Sequence, residues 1–436
     1  MSSNIKRKQL GFLSPQPYMQ KAIDLMNQDN DVHAIEAKTW EEEEIQSIAA
    51  FCKEKGIDSV AGYAQKDAFH HILINEALGN PVPSRLAFFY CMNKYLMRTL
   101  ESNAFFFDAV DPMNESDEEI IAKIPDTEWP FMLKNTSLSL GRGIYKIKDP
   151  EQLKEVLKSY RENTDLQESI AGQYEWYLKG VDQKDIPPVA PPFIAEHMVD
   201  MNTAIEYCYE GYIDAAGNIV HYALTEEVYF ANHQALGYIT PPISIDAQMA
   251  DKIEAWVNDY MGRFVEVGYI NQFFNLEFWI MPDGEINLTE INPRAAHSYH
   301  YNYLYSCGNS LYTDNLILAA GGTPTDITPW EKWRKNEFDQ YTLIVLITGK
   351  EPGKVDDILD YDYVNYLENE RDILVRHTRQ RDDVIVQEDM TAAGVMLLQI
   401  WITGNTKDEV VSFEKEMRKK LYKQEQGDIG YPAYWS

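Results

Sequence analysis

The sequence predicts a multidomain protein of the α/β and α+β classes, and three stretches of the 436-residue chain support that prediction. Near the N-terminus, short apolar segments alternate with helix-like segments, as in βαβ units built on a parallel sheet. Residues 275–294 alternate apolar and other side chains on both sides of an Asp-Gly turn, which is typical of a β-hairpin. Residues 342–421 contain two apolar strands and a final helix. A chain of this length can form two or three domains.

The composition is that of a globular but strongly acidic protein. Hydrophobic residues make up 45% of the chain, charged residues 25%, and the formal net charge is −30. This charge argues against binding nucleic acid or an anionic membrane through bulk electrostatics. No apolar run approaches about 18 residues and no signal peptide is recognisable, so we expect a cytoplasmic protein without a membrane segment. The four cysteines include no CxxC pair, which predicts free thiols.

The N-terminal region is expected to form a parallel sheet without a dinucleotide site. Residues 9–13, 31–37 and 57–64 are predicted strands, and residues 18–28, 41–56 and 69–79 are predicted helices. No GxGxxG pattern follows the first strand, so a Rossmann-type dinucleotide site is not expected there. The domain would instead present a substrate surface or provide structural support.

A lysine and a small-residue loop follow a long predicted helix over residues 83–101. The apolar strand 131–133 ends at Lys134, and residues 135–143 are rich in Asn, Ser, Thr and Gly. Backbone N–H groups of small residues can fold over phosphates, and a lysine at the base of the loop can add a positive charge. The loop matches neither the P-loop nor the kinase glycine pattern, and a plain polar hairpin loop is an equally good interpretation.

A third feature is the apolar strand that ends at Glu196. Further strands are predicted on both sides of residues 216–218. Where a strand leaves its sheet, exposed backbone groups can contact the edge of an adenine, and Glu196 could accept a hydrogen bond from the adenine amino group. By itself this indication is weak.

The hairpin at residues 275–294 carries the most specific group of side chains. Glu277 and Glu290 lie on facing strands, and Asn292 projects to the same side as Glu290 because side-chain direction repeats every second residue. Carboxylate and amide oxygens suit Mg²⁺, and Arg294 adds a guanidinium that fits carboxylate or phosphate oxygens. The alternative is a solvent-facing acidic hairpin with no ligand.

The order of four features resembles that in the ATP-grasp superfamily of carboxylate–amine ligases. The features are Lys94 in the predicted helix, Lys134 before the loop, Glu196 at the end of its strand, and the acidic hairpin. The resemblance covers residues 85–325 and is sharpest in Glu290-Ile291-Asn292-Pro293-Arg294. It implies an ATP-grasp fold with an N-terminal Rossmann-like (pre-ATP-grasp) domain. The C-terminal segment resembles the small α+β domain of the biotin-carboxylase-like and L-amino-acid-ligase branch. The implied domains are 1–90, 91–325 with a lid at about 130–200, and 326–436.

The resemblance also implies a role for each site residue, with ATP and Mg²⁺ (Mn²⁺ as an alternative) as cofactors. The implied metal ligands are Glu277, Glu290 and Asn292; the implied nucleotide contacts are Lys94, Lys134, Ser139, Gly141, Glu196, His197, Val199 and Glu277; the implied catalytic residues are Arg294 and Lys134. His297, Ser298 and Tyr299 lie where the family often contacts its carboxylate or amine substrate, although the tyrosines of this segment could instead pack a domain junction.

The expected function is therefore ATP-dependent ligation. A carboxylate would be activated as an acyl phosphate and joined to an amine, forming an amide or peptide bond and releasing ADP and phosphate. The alternatives are an ATP-grasp carboxylase, a formate-using transferase or a catalytically silent ATP-binding protein. The expected partners are small-molecule carboxylates and amines, and the frequency of symmetric dimers among oligomers favours a homodimer.

Overall fold

The computed structural model describes residues 7–38, 41–63, 67–138, 143–370, 373–390, 394–424, 430–432 and 435. These residues form sheets of three, four and eight strands, together with a two-stranded ribbon. None of the helices that the structure describes is long and apolar enough to cross a bilayer. All four cysteines are buried free thiols, as predicted.

The N-terminal sheet is parallel, as the alternation of strands and helices predicted. In its central strand, Leu10 and Phe12 face one core while Leu13 faces another. A strand buried on both faces has no polar side to alternate with, which explains the apolar run in this segment. The strands lie in the order β2-β1-β3, with β1 (Gln9–Leu13), β2 (Asp31–Ile35) and β3 (Ser59–Ala61). The helices are α1 (Gln20–Met26), α2 (Glu42–Lys55) and α3 (Asp67–Leu78).

The long helix predicted over residues 83–101 is two helices, α4 (Arg85–Met92) and α5 (Lys94–Thr99), so the prediction of one helix was wrong. The break lies at Asn93, whose backbone is extended with φ −122° and ψ 111°. Its side-chain oxygen accepts hydrogen bonds from the backbone N–H groups of Tyr95 and Leu96, both at 3.0 Å. Asparagine is a preferred N-cap because it satisfies N–H groups that lack a partner in the first turn. The apolar pattern continues through the break, which is why periodicity did not locate it.

A four-stranded antiparallel sheet follows, in the order β4-β7-β5-β6. Strands β5 and β6 form the hairpin predicted on either side of residues 135–143. The sheet also includes β4, which lies upstream of residue 130. Its strands are β4 (Phe107–Val110), β5 (Phe131–Asn135), β6 (Ile144–Ile147) and β7 (Phe193–Glu196). The associated helices are α6 (Asp117–Lys123), α7 (Pro150–Arg161) and α8 (Thr164–Leu178).

The largest sheet has eight strands in the order β12-β11-β8-β9-β10-β13-β17-β15 and crosses the predicted boundary at residue 325. Its first five strands are β8 (Ile205–Ile213), β9 (Ile219–Tyr229), β10 (Ala235–Thr240), β11 (Gln272–Ile280) and β12 (Ile286–Asn292). The other three are β13 (Tyr341–Gly349), β15 (Leu374–His377) and β17 (Val395–Gly404). The domain boundaries stay a prediction, but backbone pairing between β10 and β13 ties the C-terminal region to the central strands.

Helices and a ribbon complete the chain. The final helix predicted within residues 342–421 is confirmed, and it begins after Thr406, whose hydroxyl accepts a hydrogen bond from the N–H of Glu409 at 3.2 Å. The helices are α9 (Ala247–Glu266), α10 (His300–Cys307), α11 (Leu311–Ala319), α12 (Pro329–Arg334), α13 (Val355–Ile358), α14 (Tyr361–Asn369) and α15 (Lys407–Leu421). The ribbon pairs β14 (Gly353–Lys354) with β16 (Val384–Ile385).

One face of the large sheet collects polar and aromatic side chains from most of its strands. Residues opposite each other in register share a face, and so do residues two apart on one strand. Pairing therefore places the following residues on one face: Glu290, Glu277, Glu206, Glu227, Tyr238, Trp401, Gln399 and Arg376. This face joins the acidic hairpin at one edge of the sheet to the C-terminal strands at the other.

Gly237 is where this sheet leaves no room for a side chain. A Cβ at Gly237 would lie 1.9 Å from the backbone oxygen of Ile344 on β13. We expect Gly237→Ala to lower the free energy of unfolding by about 3 kcal/mol, because the two strands must separate to admit the methyl group. Urea denaturation measures the loss. Gly262→Ala on α9 is the control: nothing lies within 4 Å of the added Cβ, and alanine is the better helix former. Equal denaturation midpoints for the two variants would contradict this account.

Candidate active site

The acidic hairpin has the arrangement that the sequence predicted. Glu277 on β11 lies directly opposite Glu290 on β12, and Gly284 in the turn has φ +81°. The side-chain amide of Asn292 donates to Glu277 Oε1 at 3.2 Å and to Glu290 Oε1 at 3.5 Å. The three predicted metal ligands therefore converge on one point.

The chemistry of this trio fits a hard divalent cation. Burial, followed by the charges of Glu290 and Glu206, raises the pKa of Glu277 to about 8. A cation held between the carboxylates would offset this repulsion, and turning the Asn292 amide by about 180° would present its oxygen as a third ligand. In the part of the chain that the structure describes, no group of three or more His, Cys, Asp or Glu side chains is arranged as a metal site. The hairpin would thus supply only part of a coordination shell, as is usual for Mg²⁺ bound together with a nucleotide.

Lys94 connects the hairpin to the loop after β5. As the first residue of α5 it is only 8% exposed, and its Nζ lies 3.3 Å from Glu290 Oε2. The same Nζ donates to the backbone oxygen of Leu138 at 2.9 Å. The cap at Asn93 sets where this helix begins, and so where Lys94 lies. The buried ammonium group of Lys94 therefore contacts both the acidic hairpin and the loop that was predicted to bind phosphate.

Lys134 and Arg98 enclose the carboxylate of Glu196. Lys134 Nζ is 2.7 Å from Glu196 Oε2, and Arg98 Nε donates to Glu196 Oε1 at 3.0 Å. Burial acts to raise the pKa of Glu196, but the two cations outweigh it and hold that pKa below its ordinary value. Glu196 is therefore a buried anion that fixes the position of Lys134.

Arg98, which the sequence analysis did not identify as a site residue, also contacts the acidic hairpin. Its guanidinium donates to Glu101 Oε2 at 2.9 Å and to Asn287 Oδ1 on β12 at 3.1 Å. One side chain thus links α5, β7 and β12. The signal that could have found it is its position four residues after Lys94, on the same face of a short helix.

Tyr174 on α8 is a second residue that sequence reasoning missed. Its hydroxyl lies 2.5 Å from Asn93 Nδ2, 2.6 Å from Ser137 Oγ and 3.1 Å from Thr136 Oγ1. Asn93 caps the helix that carries Lys94, and Thr136 and Ser137 begin the predicted phosphate loop. The hydroxyl therefore holds these two elements in register. No local pattern marks Tyr174, because its partners come from segments distant in sequence.

Two further glutamates lie on the same face as Glu277. Burial and the charges of Glu206 and Glu277 raise the pKa of Glu227 well above its ordinary range. Burial likewise raises the pKa of Glu206, which accepts a hydrogen bond from the hydroxyl of Tyr229. The strands that carry them, β8 and β9, each contain a second glutamate, so the sequence pattern did not single out Glu206 or Glu227. Together these glutamates extend the acidic surface beside the hairpin.

The predicted adenine contacts follow β7. The backbone N–H of His197 donates to the carbonyl of Phe106 at 2.9 Å, so its remaining backbone group for a ligand is its carbonyl oxygen. Its imidazole stacks on Phe105 with ring centres 5.4 Å apart, and Val199 follows in the connection to β8. The adenine roles of Glu196, His197 and Val199 stay predictions. Ser139 and Gly141, predicted to contact phosphate, lie outside the described residues.

The three predicted substrate residues have different environments. Tyr299 is 5% exposed, and its hydroxyl donates to Cys208 Sγ at 3.0 Å. The backbone oxygen of Ser298 accepts a hydrogen bond from Trp401 Nε1 at 3.2 Å. The imidazole of His297 instead lies within the influence of Arg294, whose guanidinium donates to Asn292 Oδ1 at 3.4 Å. The substrate roles of all three residues stay predictions.

The buried ion cluster around Arg98 is expected to stabilise the folded protein. We expect Arg98→Ala to lower the free energy of unfolding by about 3–5 kcal/mol, because it leaves Glu101 and part of the Glu196 charge without a cation. Urea denaturation gives the value. The control is Arg263→Ala, whose ion pair with Asp259 has side chains that are 37% and 48% exposed and should contribute about 0–1 kcal/mol. Similar losses in both variants would show that the Arg98 cluster has no special weight.

Comparison with known proteins supplies a fold. No family model matches the sequence, and no curated protein matches it. Solved structures do: L-amino acid ligase from Bacillus licheniformis has a TM-score of 0.68 at 15% identity, over 96% of this chain and 99% of that chain. N5-carboxyaminoimidazole synthase from Aspergillus clavatus, solved with ADP and 5-aminoimidazole ribonucleotide, has a TM-score of 0.64 at 15% identity, over 95% and 98%.

A third similar structure is the biotin carboxylase domain of 2-oxoglutarate carboxylase from Hydrogenobacter thermophilus, solved with MgADP, ADP and bicarbonate. Its TM-score is 0.64 at 13% identity, over 97% of this chain and 92% of that chain. Likeness at such low identity establishes the fold over nearly the whole length. The chain therefore has the fold of the ATP-grasp superfamily, as its acidic hairpin and paired lysines had indicated.

Proposed function

We propose that this protein is an ATP-dependent ligase that activates a carboxylate as an acyl phosphate and joins it to an amine. The observation that carries the proposal is the convergence of Glu277, Glu290 and Asn292 beside Lys94 and Arg294. Oxygen ligands for a cation and positive groups for phosphates are what ATP needs. Similar solved structures contain bound ADP, ATP or MgADP.

The nucleotide would lie between the small sheet and the face of the large sheet. Lys94 and Lys134 would bind its phosphates, with Ser139 and Gly141 of the following loop. The adenine would meet Glu196 and the backbone of His197 and Val199. Mg²⁺, or Mn²⁺ in its place, would be held by Glu277, Glu290 and Asn292 and would neutralise negative charge on the phosphates.

The proposed reaction has two chemical steps. A carboxylate oxygen of the first substrate attacks the γ-phosphorus, the bond to the β-phosphate oxygen breaks, and ADP leaves. The amine nitrogen of the second substrate then attacks the acyl carbon and expels phosphate, and the departing phosphate takes up the proton that the nitrogen loses. Lys134 and Arg294 would stabilise the charge that develops on the transferring group, since positioned cations are most effective where water is excluded.

One feature makes Lys134 and Lys94 suitable for binding phosphates. Both ammonium groups contact carboxylates that fix them, Glu196 and Glu290 respectively. A pre-positioned charge needs little reorganisation when phosphate charge develops, which is the usual source of electrostatic catalysis.

The first test is Mg²⁺-dependent release of ADP and phosphate from purified full-length protein. Amino acids and small carboxylates are supplied singly and in pairs, with mass spectrometry of the products and Glu290→Gln as the inactive control. We expect ADP release that requires a pair and a product whose mass is that of the two substrates less one water. ADP release with bicarbonate or formate as the carboxylate would favour the carboxylase or transferase alternatives. ATP binding without turnover for any combination would favour a silent binding protein.

Arg294 gives a more specific expectation. We expect Arg294→Ala to slow ADP release with an active substrate pair about a hundredfold or more, a loss of roughly 3 kcal/mol in transition-state stabilisation. Initial rates at saturating ATP measure it. Arg263→Ala, an exposed arginine on α9, is the matched control and should retain full activity. A rate within about threefold of the wild-type rate would remove Arg294 from the proposed catalytic set.

A further inference from the structure

Arg376 lies on the edge strand β15, on the same sheet face as the acidic hairpin, and has a defined position. Its guanidinium carbon is 4.4 Å from the centre of the Tyr18 ring. One of its nitrogens donates to Gln399 Oε1 at 2.8 Å and to His297 Nε2 at 3.4 Å. All three partners are uncharged side chains, so the position of Arg376 is fixed without neutralising its charge.

The neighbouring basic residues each contact a carboxylate, which makes Arg376 unusual in its own segment. His377 contacts Glu368, Arg379 contacts Asp389 and Arg381 contacts Asp356. For Arg376 the described residues supply no carboxylate within 4.0 Å. The chain has 69 acidic residues against 39 Lys and Arg, so acidic partners are plentiful. A fixed, half-buried guanidinium without one is suited to an anion that comes from outside the protein.

The pKa of His297 reflects its burial and the positive charge that Arg294 and Arg376 place around it. Burial, with the charges of Arg294 and Arg376, lowers the pKa of His297 to about 3. The imidazole is therefore neutral at physiological pH and accepts a hydrogen bond from Arg376. Two guanidinium groups thus act on one neutral ring, and Arg294 is the one proposed to act in phosphoryl transfer. Arg376 is then available for a second negative group on the same substrate.

Two stacked aromatic rings lie beside the guanidinium of Arg376. The rings of Tyr18 and Trp401 stack with centres 6.1 Å apart and an interplanar angle of 16°. Tyr18 belongs to the N-terminal domain region, Trp401 to β17 and Arg376 to β15, so three distant parts of the chain meet here. Trp401 is fully buried and supports the Tyr18 ring over which the guanidinium of Arg376 lies.

We propose that Arg376, with Tyr18 and His297, forms a binding subsite for a substrate carboxylate other than the one that is phosphorylated. The substrate class is then a dicarboxylate or an acidic amino acid. This inference rests on the proposed ligase function for its meaning, but the subsite itself is a binding claim. The planar guanidinium fork pairs with a carboxylate through two parallel hydrogen bonds, which an uncharged amide cannot reproduce.

The experiment is isothermal titration of the full-length protein with Mg²⁺ and a non-hydrolysable ATP analogue present. The probes are glutarate, L-glutamate and L-aspartate, each matched with its half-amide (glutaramate, L-glutamine and L-asparagine). We expect at least one dicarboxylate to bind the wild-type protein at least tenfold more tightly than its half-amide. In Arg376→Gln this preference should disappear, whereas Arg379→Gln, a neighbouring arginine paired with Asp389, should keep it.

Other outcomes would overturn the proposal. These are equal binding of acids and half-amides by the wild-type protein, an unchanged preference in Arg376→Gln, no binding by any dicarboxylate, or tighter binding of O-phospho-L-serine, titrated as an additional probe, than of every dicarboxylate. If Arg376→Gln fails to fold, the comparison of acid with half-amide on the wild-type protein and the Arg376→Lys variant still decide. The lysine keeps the charge but not the fork, so it should bind more weakly than wild type.

This test separates the subsite from the ligase proposal. Dicarboxylate binding that depends on Arg376, without ADP release with any amine, would keep the subsite and reject the ligase. ADP release with simple monocarboxylates, equal in wild type and Arg376→Gln, would keep the ligase and reject the subsite.

Discussion

The buried ion cluster centred on Arg98 is the interaction on which the rest of the site depends. Its guanidinium contacts Glu196 and Glu101 and reaches Asn287, so α5, the small sheet and the acidic hairpin meet through one side chain. Glu196 in turn fixes Lys134. Charges buried in this way are tolerated only when each has a partner of opposite sign. The cluster therefore influences the distances between the predicted phosphate-binding lysines and the acidic hairpin, and a change in the cluster would affect both.

The large sheet adds a second constraint. Strands from the middle and the end of the chain share a single set of backbone hydrogen bonds, with the joint between β10 and β13. Every side chain on its inner face is consequently placed with respect to every other. This continuity explains how Arg376 on the final edge strand comes to contact His297, three residues after Arg294. A C-terminal domain attached only by a flexible linker would not hold these groups together.

The net charge of the chain repels anions, whereas the cationic side chains of the proposed site attract them. A chain of net charge −30 repels anions at long range, yet its proposed site contains Lys94, Lys134, Arg294 and Arg376. Acidic neighbours hold the first two in place, whereas the contacts of Arg376 among the described residues are with uncharged side chains. Local geometry within a few ångströms outweighs the screened field of distant surface carboxylates, because the Debye length in physiological salt is about 8 Å. An acidic protein can therefore still bind ATP and anionic substrates.

Local patterns in the sequence predicted the N-terminal strands and helices, their parallel sheet and the convergence of Glu277, Glu290 and Asn292, because side-chain direction repeats over short, fixed intervals. They failed at Asn93, where a capping side chain ended a helix whose apolar pattern continued. Tertiary structure alone decided which charges pair. Arg98 and Glu196 are 98 residues apart and Arg376 and His297 are 79 apart, so strand order and helix placement bring them into contact. No periodicity within one segment can encode such contacts, since they depend on how separate segments pack against each other.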